Sequence, residues 1–180
     1  MKHPAILLLA PALFACAPDS GPEIAAVAET ETIKTPYGFD VQLTLTPRAA
    51  EKLAQTDEAV NVAAMYYGLP VSDTAPGIDE HGEEVGLGRD DVEVAPQSAL
   101  VVAPGAGFDP TYLASVKGEP EVLVNVYSAR KTHEHNLLSC GIYQGPISMA
   151  QKKPVEIQCD LIDGLNDDGD VVVETGTPGQ

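Results

Sequence analysis

The 180-residue chain is strongly acidic, with 27 Asp and Glu residues against 10 Lys and Arg residues and a formal net charge of −17. A field of that sign repels phosphate backbones, so the composition argues against a nucleic-acid partner. It favours cationic partners instead: basic proteins, basic peptides or divalent metals. The length suffices for one domain with tails.

The first fifteen residues have the pattern of a secretory signal. Lys2 supplies a positive start, residues 5–14 are entirely apolar, and Ala15 is a small residue at the expected cleavage point. This apolar run is much shorter than the roughly 20 residues that a bilayer-spanning helix needs. We therefore predict a signal peptide over residues 1–15 rather than a permanent transmembrane helix.

The sequence Leu13-Phe14-Ala15-Cys16 resembles the lipobox of bacterial lipoproteins, although Phe14 stands where a small or β-branched residue is commoner. The resemblance implies that Cys16 is diacylated on sulfur, palmitate being the typical chain, and that the new N-terminus is acylated. It also implies attachment to the cell envelope, and Ala17 after the cysteine implies the outer membrane, facing the periplasm. The alternative is an ordinary signal peptide cut after Ala15, which would leave Cys16 as a thiol.

Residues 17–35 are rich in Ala, Glu, Thr and Pro and have little periodicity, which is typical of a flexible tether. With the lipidated cysteine, this tether is predicted to span residues 16–35. The domain itself is predicted over residues 36–162.

The domain is predicted to be all-β, because apolar and polar residues alternate in short runs separated by turn residues. The best example is residues 39–46, in which Phe39, Val41, Leu43 and Leu45 share one face. Further strands are predicted at 59–67, 85–87, 92–94, 99–102, 121–129, 137–143 and 155–162. The pattern indicates a small β-sandwich of about seven strands, immunoglobulin-like or transthyretin-like in general shape, with a small barrel as the alternative.

One or two short helical turns interrupt the strands. Thr46 is a suitable N-cap before Pro47, which predicts a helical turn over residues 46–53, and residues 109–113 have a similar pattern. Residues 71–84 lack an apolar pattern and are predicted to form a long exposed loop, a type of segment that is often either functional or disordered.

Cys140 and Cys159 are predicted to form a disulfide, because an even pair of cysteines in an exported chain has this role far more often than a reactive one. Each cysteine lies on the apolar face of its predicted strand. We therefore expect a buried bridge between two strands, with a link between two sheets as one possibility.

Three histidines are candidate metal ligands: His81 in the long loop, and His133 and His135 two residues apart. The spacing of the pair resembles copper-zinc superoxide dismutases, which are exported β-sandwiches, but that family needs about six histidines. A zinc site would need further ligands beside His133 and His135, such as His81, Glu80 or Glu84 from the long loop. The alternative is a solvated hairpin loop at residues 133–135.

Residues 163–180 are dense in Asp and Gly and are predicted to be an acidic, disordered tail. Calcium binding in an EF-hand is not predicted. With Gly169 at the sixth position of such a loop, the first position would be Gly164, which has no ligand side chain, and the twelfth would be Thr175.

Signatures of catalysis are missing from the sequence: there is no Gly-x-Ser-x-Gly and no complete phosphate-binding loop, and no cysteine is free to act as a nucleophile if Cys140 and Cys159 pair. No cofactor is predicted. Four tyrosines are candidates for a stacking platform, with core packing as the alternative: Tyr66, Tyr67, Tyr127 and Tyr143.

Three classes of function remain open. The preferred one is a non-catalytic binding or interaction module, anchored in the membrane by lipid, whose partner is a basic protein or peptide. Exported lipoproteins that inhibit lysozymes are similar in kind, as small acidic β proteins with disulfides. The alternatives are a metal-binding periplasmic protein and a hydrolase with an unrecognised site.

Overall fold

A computed structural model describes residues 33–163. The predicted signal peptide, Cys16, most of the tether and the acidic tail from residue 164 onward lie outside the described residues. The described part is a small β-sandwich of two four-stranded sheets, which confirms the predicted fold class. The eight strands in chain order are β1 (Phe39–Leu45), β2 (Val60–Gly68), β3 (Val85–Val94), β4 (Ala99–Ala103), β5 (Glu121–Ser128), β6 (Leu138–Cys140), β7 (Tyr143–Pro146) and β8 (Val155–Leu161).

The first sheet has the strand order β4-β1-β8-β6. β1 and β8 run parallel, with Leu43 opposite Ile157, and the other two pairs are antiparallel. The parallel pair places the first and last strands of the domain side by side at the centre of this sheet.

The second sheet has the strand order β3-β2-β5-β7 and is antiparallel throughout. A β-bulge between Met65 and Tyr67 shifts the register of β2 against β3. Such a bulge leaves one residue unpaired and increases the local twist of the strand.

The core between the sheets follows the alternation that the sequence shows. Every second residue of β5 is buried, and the inward residues of β1 are almost completely enclosed. Branched aliphatic residues, mainly Val and Leu, fill most of the space between the sheets. Such residues pack well on the pleated surface of a strand. The largest fully enclosed side chains are Tyr66, Phe39, Leu43, Leu53, Leu87, Leu137, Leu138 and Ile157.

Helix α1 (Pro47–Gln55) begins as predicted, because the Thr46 side chain accepts a hydrogen bond from the Ala49 N–H at 3.2 Å and Pro47 occupies the first turn. Its buried residues Ala49 and Leu53 cover one end of the core. The predicted turn at 109–113 is a 3₁₀ helix, Pro110–Ser115, that Asp109 caps through the Thr111 N–H.

Three local predictions were incomplete. Residues 85–94 form one strand instead of two short ones, and residues 137–143 are divided between β6 and β7, which belong to different sheets. A four-residue helix, α2 (Ile147–Ala150), follows β7 and was not predicted.

The domain was predicted to begin at residue 36. The preceding residue, Thr35, already contacts it, because the Thr35 N–H donates to the Pro104 carbonyl at 2.9 Å.

Candidate interaction surface

The disulfide is present between Cys140 and Cys159. The two residues lie directly opposite each other on the antiparallel strands β6 and β8, with a Cα–Cα distance of 4.1 Å. Cys159 is buried and Cys140 is half-buried. The bridge therefore links neighbouring strands of one sheet and does not connect the two sheets.

The three candidate histidines do not form one site. His81 lies in the loop that follows the end of β2, whereas the backbone of His133 is 3.4 Å from Glu58, just before β2 begins. The nine residues of β2 separate these positions by roughly 25 Å at the usual rise of a strand. Residues 33–163 contain no group of three or more His, Cys, Asp or Glu side chains that could hold a metal ion.

The turn that carries His133 is built around the buried carboxylate of Glu58, which is 2% exposed. Glu58 accepts hydrogen bonds from the N–H groups of Ala59, Lys131 and Thr132 and from the Thr132 hydroxyl, all at 3.0–3.1 Å. Burial by itself raises the pKa of Glu58, but these hydrogen bonds outweigh it and hold the pKa below its ordinary value. Its acceptor capacity is used by the protein's own backbone.

A second buried carboxylate, Asp90, has a similar role on β3. It accepts hydrogen bonds from the Gly105 N–H at 2.6 Å, the Gly107 N–H at 2.7 Å and the Tyr66 hydroxyl at 2.8 Å. Glycine is needed in this turn: Gly105 has a φ of 73°, and a Cβ at Gly107 would overlap the Arg89 carbonyl oxygen. Burial and the neighbouring Asp90 raise the pKa of Tyr66 far above its ordinary value.

The four candidate tyrosines do not share a platform. Tyr66 points into the core and is 2% exposed, and Tyr143 is opposite the inward-facing Val124 and packs against the core. Tyr67 and Tyr127 are on the outer face of the second sheet. Tyr67 is buried there, with its hydroxyl donating to Glu121 at 2.9 Å and accepting from Gln144 at 2.7 Å.

Residues 73–84, which we call the acidic loop, carry five carboxylates: Asp73, Asp79, Glu80, Glu83 and Glu84. The loop is fixed by its own hydrogen bonds. The Asp79 carboxylate accepts from the Glu83 N–H at 2.8 Å, and the Asp79 N–H donates to the Glu84 carbonyl at 2.7 Å. Within the loop, the side chain of Ala75 is buried.

The acidic loop crowds like charges around Glu84. Glu84 is half-buried. Burial, together with the charges of Asp79, Glu83 and Glu121, raises the pKa of its carboxyl group. Within the described residues, none of the five loop carboxylates forms an ion pair with Lys or Arg; the one contact of this type is Glu80 with His81 at 3.5 Å.

Elsewhere in residues 33–163, five carboxylates pair with Lys or Arg. Asp91 pairs with Arg89 at 2.6 Å, Glu93 with Lys131 at 2.6 Å, and Asp40 with Lys34 at 2.6 Å. Arg48 bridges two further carboxylates near the end of β8. The acidic loop is therefore a site of uncompensated negative charge on an ordered framework.

A small cleft lies beside α2, with a volume of about 160 Å³. It is lined by Tyr143, Met149, Ala150, Lys153, Pro154, Val155 and Glu156. Pockets that enclose small molecules usually measure about 300–1,000 Å³. This cleft is too small and open for that class of ligand.

Comparison with known proteins finds no match to a family model, a curated protein or a solved structure. In the part of the chain that the structure describes, no helix has the length and apolar character needed to cross a bilayer. The fold defines a β-sandwich domain.

Proposed function

We propose that this protein is a lipid-anchored component of the bacterial cell envelope, and that its domain is a non-catalytic module that binds a basic protein or peptide. The lipobox-like residues that end at Cys16 support the anchor. The acidic loop supports the choice of partner.

The observation that carries the proposal is the uncompensated charge of the acidic loop. Burial and the nearby charges of Asp79 and Glu83 raise the pKa of Glu84, and hydrogen bonds within the loop fix its backbone. Bringing Lys or Arg side chains to this loop relieves the mutual repulsion. The ordered backbone also reduces the conformational entropy that binding must overcome.

The binding test uses the full-length chain with Cys16→Ser, so that no lipid is attached, and lysozyme as a basic probe. We compare Glu80→Gln/Glu83→Gln/Glu84→Gln with a control of equal charge change at exposed positions outside the loop, namely Glu51→Gln/Glu134→Gln/Glu156→Gln. Exposed ion pairs contribute about 0.2–1 kcal/mol each, so three should change Kd about tenfold at low salt.

The loop variant is expected to bind lysozyme more weakly than the wild type, while the control variant binds it as tightly as the wild type. Moderate salt should weaken wild-type binding, because exposed charges are screened beyond about 8 Å. Equal losses in the two variants would show that net charge, rather than the loop, attracts the probe. Binding that neither variant nor salt changes would contradict the electrostatic basis of the proposal.

The anchor has a separate test in a bacterial host grown with labelled palmitate. The wild-type chain is expected to incorporate the label and to sediment with membranes. Cys16→Ser is expected to lose both properties. A wild-type chain that carries no label and is released as a soluble protein would refute the anchor without bearing on the binding module.

A further inference from the structure

An apolar patch lies next to the acidic loop. Three of the seven large apolar side chains that are exposed within residues 33–163 belong to it: Leu69, Val71 and Tyr112, at 54%, 55% and 40% exposure. Single exposed apolar residues need no explanation, but neighbouring ones on one surface are typical of interaction sites.

The backbone places Leu69 and Val71 on the same side. Pro70 forms an antiparallel bridge with Val116, with the Val71 N–H donating to the Ser115 carbonyl at 2.9 Å and the Lys117 N–H donating to the Leu69 carbonyl at 2.7 Å. In such an extended segment, the residues on either side of Pro70 point away from it. Val116 is buried, so Leu69 and Val71 face outward, about 7 Å apart.

Tyr112 links this pair to the acidic loop. It lies one turn before Ser115 in the 3₁₀ helix, which corresponds to about 6 Å along the axis. Its ring lies directly over Gly77, where a Cβ would come within 2.5 Å of the ring carbons. Gly77 is two residues before Asp79, so the apolar patch and the acidic loop form one continuous surface.

We infer that Leu69, Val71 and Tyr112 form an apolar docking patch for a basic amphipathic segment of the partner, whose cationic side chains reach the acidic loop. This inference rests on the proposed function and adds to it the chemistry of the partner. Lys117 lies opposite Leu69 in the bridge and is exposed, but the five carboxylates of the acidic loop outnumber it. Charge complementarity therefore selects the occupant: the surface disfavours an anionic lipid surface and favours a peptide with Lys or Arg beside Leu, Ile or Phe.

The test uses the full-length chain with Cys16→Ser and two labelled synthetic peptides of equal length and equal positive charge. One peptide combines Lys with Leu in an amphipathic helical pattern, and the other combines Lys with Ser. Affinities are measured by fluorescence anisotropy for the wild type, for Leu69→Ser/Val71→Ser, and for Leu100→Ser/Ile142→Ser. This last variant is the control, since its two residues are 57% and 65% exposed elsewhere on the domain.

The Lys/Leu peptide is expected to bind the wild type and the control about tenfold more tightly than the Lys/Ser peptide. In Leu69→Ser/Val71→Ser the preference should disappear while the affinity for the Lys/Ser peptide is retained. Thermal unfolding checks that this variant is folded; Leu69→Asn alone is used if it is not.

Equal affinity of the wild type for the two peptides would overturn the inference of an apolar docking patch and leave the proposed function intact. A preference for the Lys/Leu peptide that survives in Leu69→Ser/Val71→Ser would place the apolar contact elsewhere and would also overturn the inference. Concentration-dependent dimers that this variant abolishes would assign the patch to a second copy of the chain. If neither peptide nor lysozyme binds at low salt, the proposed function itself fails.

Discussion

Glu58 offers a direct test of how this fold is held together, because one buried carboxylate fixes the turn after β5. Replacing it with Gln preserves the size of the side chain but turns one oxygen into an N–H donor. If the amide oxygen takes the place of Oε2, the new NH₂ group faces the Ala59 N–H, which bonds to Oε1 at 3.0 Å in the wild type. Glu58→Gln therefore orphans at least one buried donor.

The expected loss has two parts. An unsatisfied buried donor costs about 1–3 kcal/mol, and the remaining bonds, from the N–H groups of Lys131 and Thr132 and from the Thr132 hydroxyl, now go to a neutral acceptor, which is weaker than a charged one by roughly 1 kcal/mol each. Because Gln can shift to keep some of them, we expect the free energy of unfolding to fall by about 3 kcal/mol. Urea unfolding at pH 7 measures this difference.

The same variant has a pH signature. The pKa of Glu58 is lowered in the folded state, so its contribution is fully present above its unfolded pKa, near 4.5, and is lost as the pH falls through the folded value. The stability gap between the wild type and Glu58→Gln should therefore narrow in acid. The control is Glu134→Gln, an exposed position in the neighbouring segment, which should change stability by less than about 0.5 kcal/mol. A loss at pH 7 no larger than the control's, or a gap unchanged at pH 3, would refute the reasoning.

Three further changes should lower the free energy of unfolding in the same assay. Asp90→Asn should cost about 1–3 kcal/mol, because the N–H groups of Gly105 and Gly107 bond to different carboxylate oxygens and Asn replaces one of these oxygens with a donor; a neutral result would mean that the turn rearranges. Thr46→Ala should cost about 1 kcal/mol by removing the N-cap of α1, and no change would show that water replaces it. Cys140→Ser/Cys159→Ser should cost about 3 kcal/mol on the chain-entropy model, and a much smaller loss would indicate a compact unfolded state.

The fold class could be predicted because apolar alternation and burial agree along most strands. β1 and β5 illustrate this: their inward residues are the ones that the period of two selects. Alternation does not say which sheet a strand joins. The predicted strand at 137–143 groups Ile142 with Leu138, yet the chain leaves the first sheet after Cys140, and Ile142, in the connection to β7, is 65% exposed. Pairing partners far apart in sequence decide this, and no local pattern contains them.

The two buried carboxylates were not predicted for a related reason. Asp90 follows Gly88 and Arg89 in a polar stretch that interrupts the alternation, so the sequence suggests a break where β3 in fact continues. Glu58 precedes a strand and resembles an ordinary surface acid. The role of each carboxylate depends on a turn that is distant in sequence. The turn at 105–107 brings N–H groups to Asp90, and the turn at 131–132 brings N–H groups to Glu58. Asp90 has the same parity as Val92 and Val94, so extending that predicted strand backward by two residues was the one available signal; it did not apply to Glu58.

These carboxylates also bear on where function is to be sought. Glu58 and Asp90 are the acids that a search for a buried catalytic group would select first, yet both are occupied by backbone donors of the protein and act as structural anchors. The carboxylates of the acidic loop differ, because they are ordered, crowded and without Lys or Arg partners within residues 33–163. Uncompensated charge beside exposed apolar side chains is unfavourable for an isolated domain and becomes favourable when a basic amphipathic partner covers both. For this reason the surface formed by residues 69–84 and Tyr112 is the first place to test by mutation.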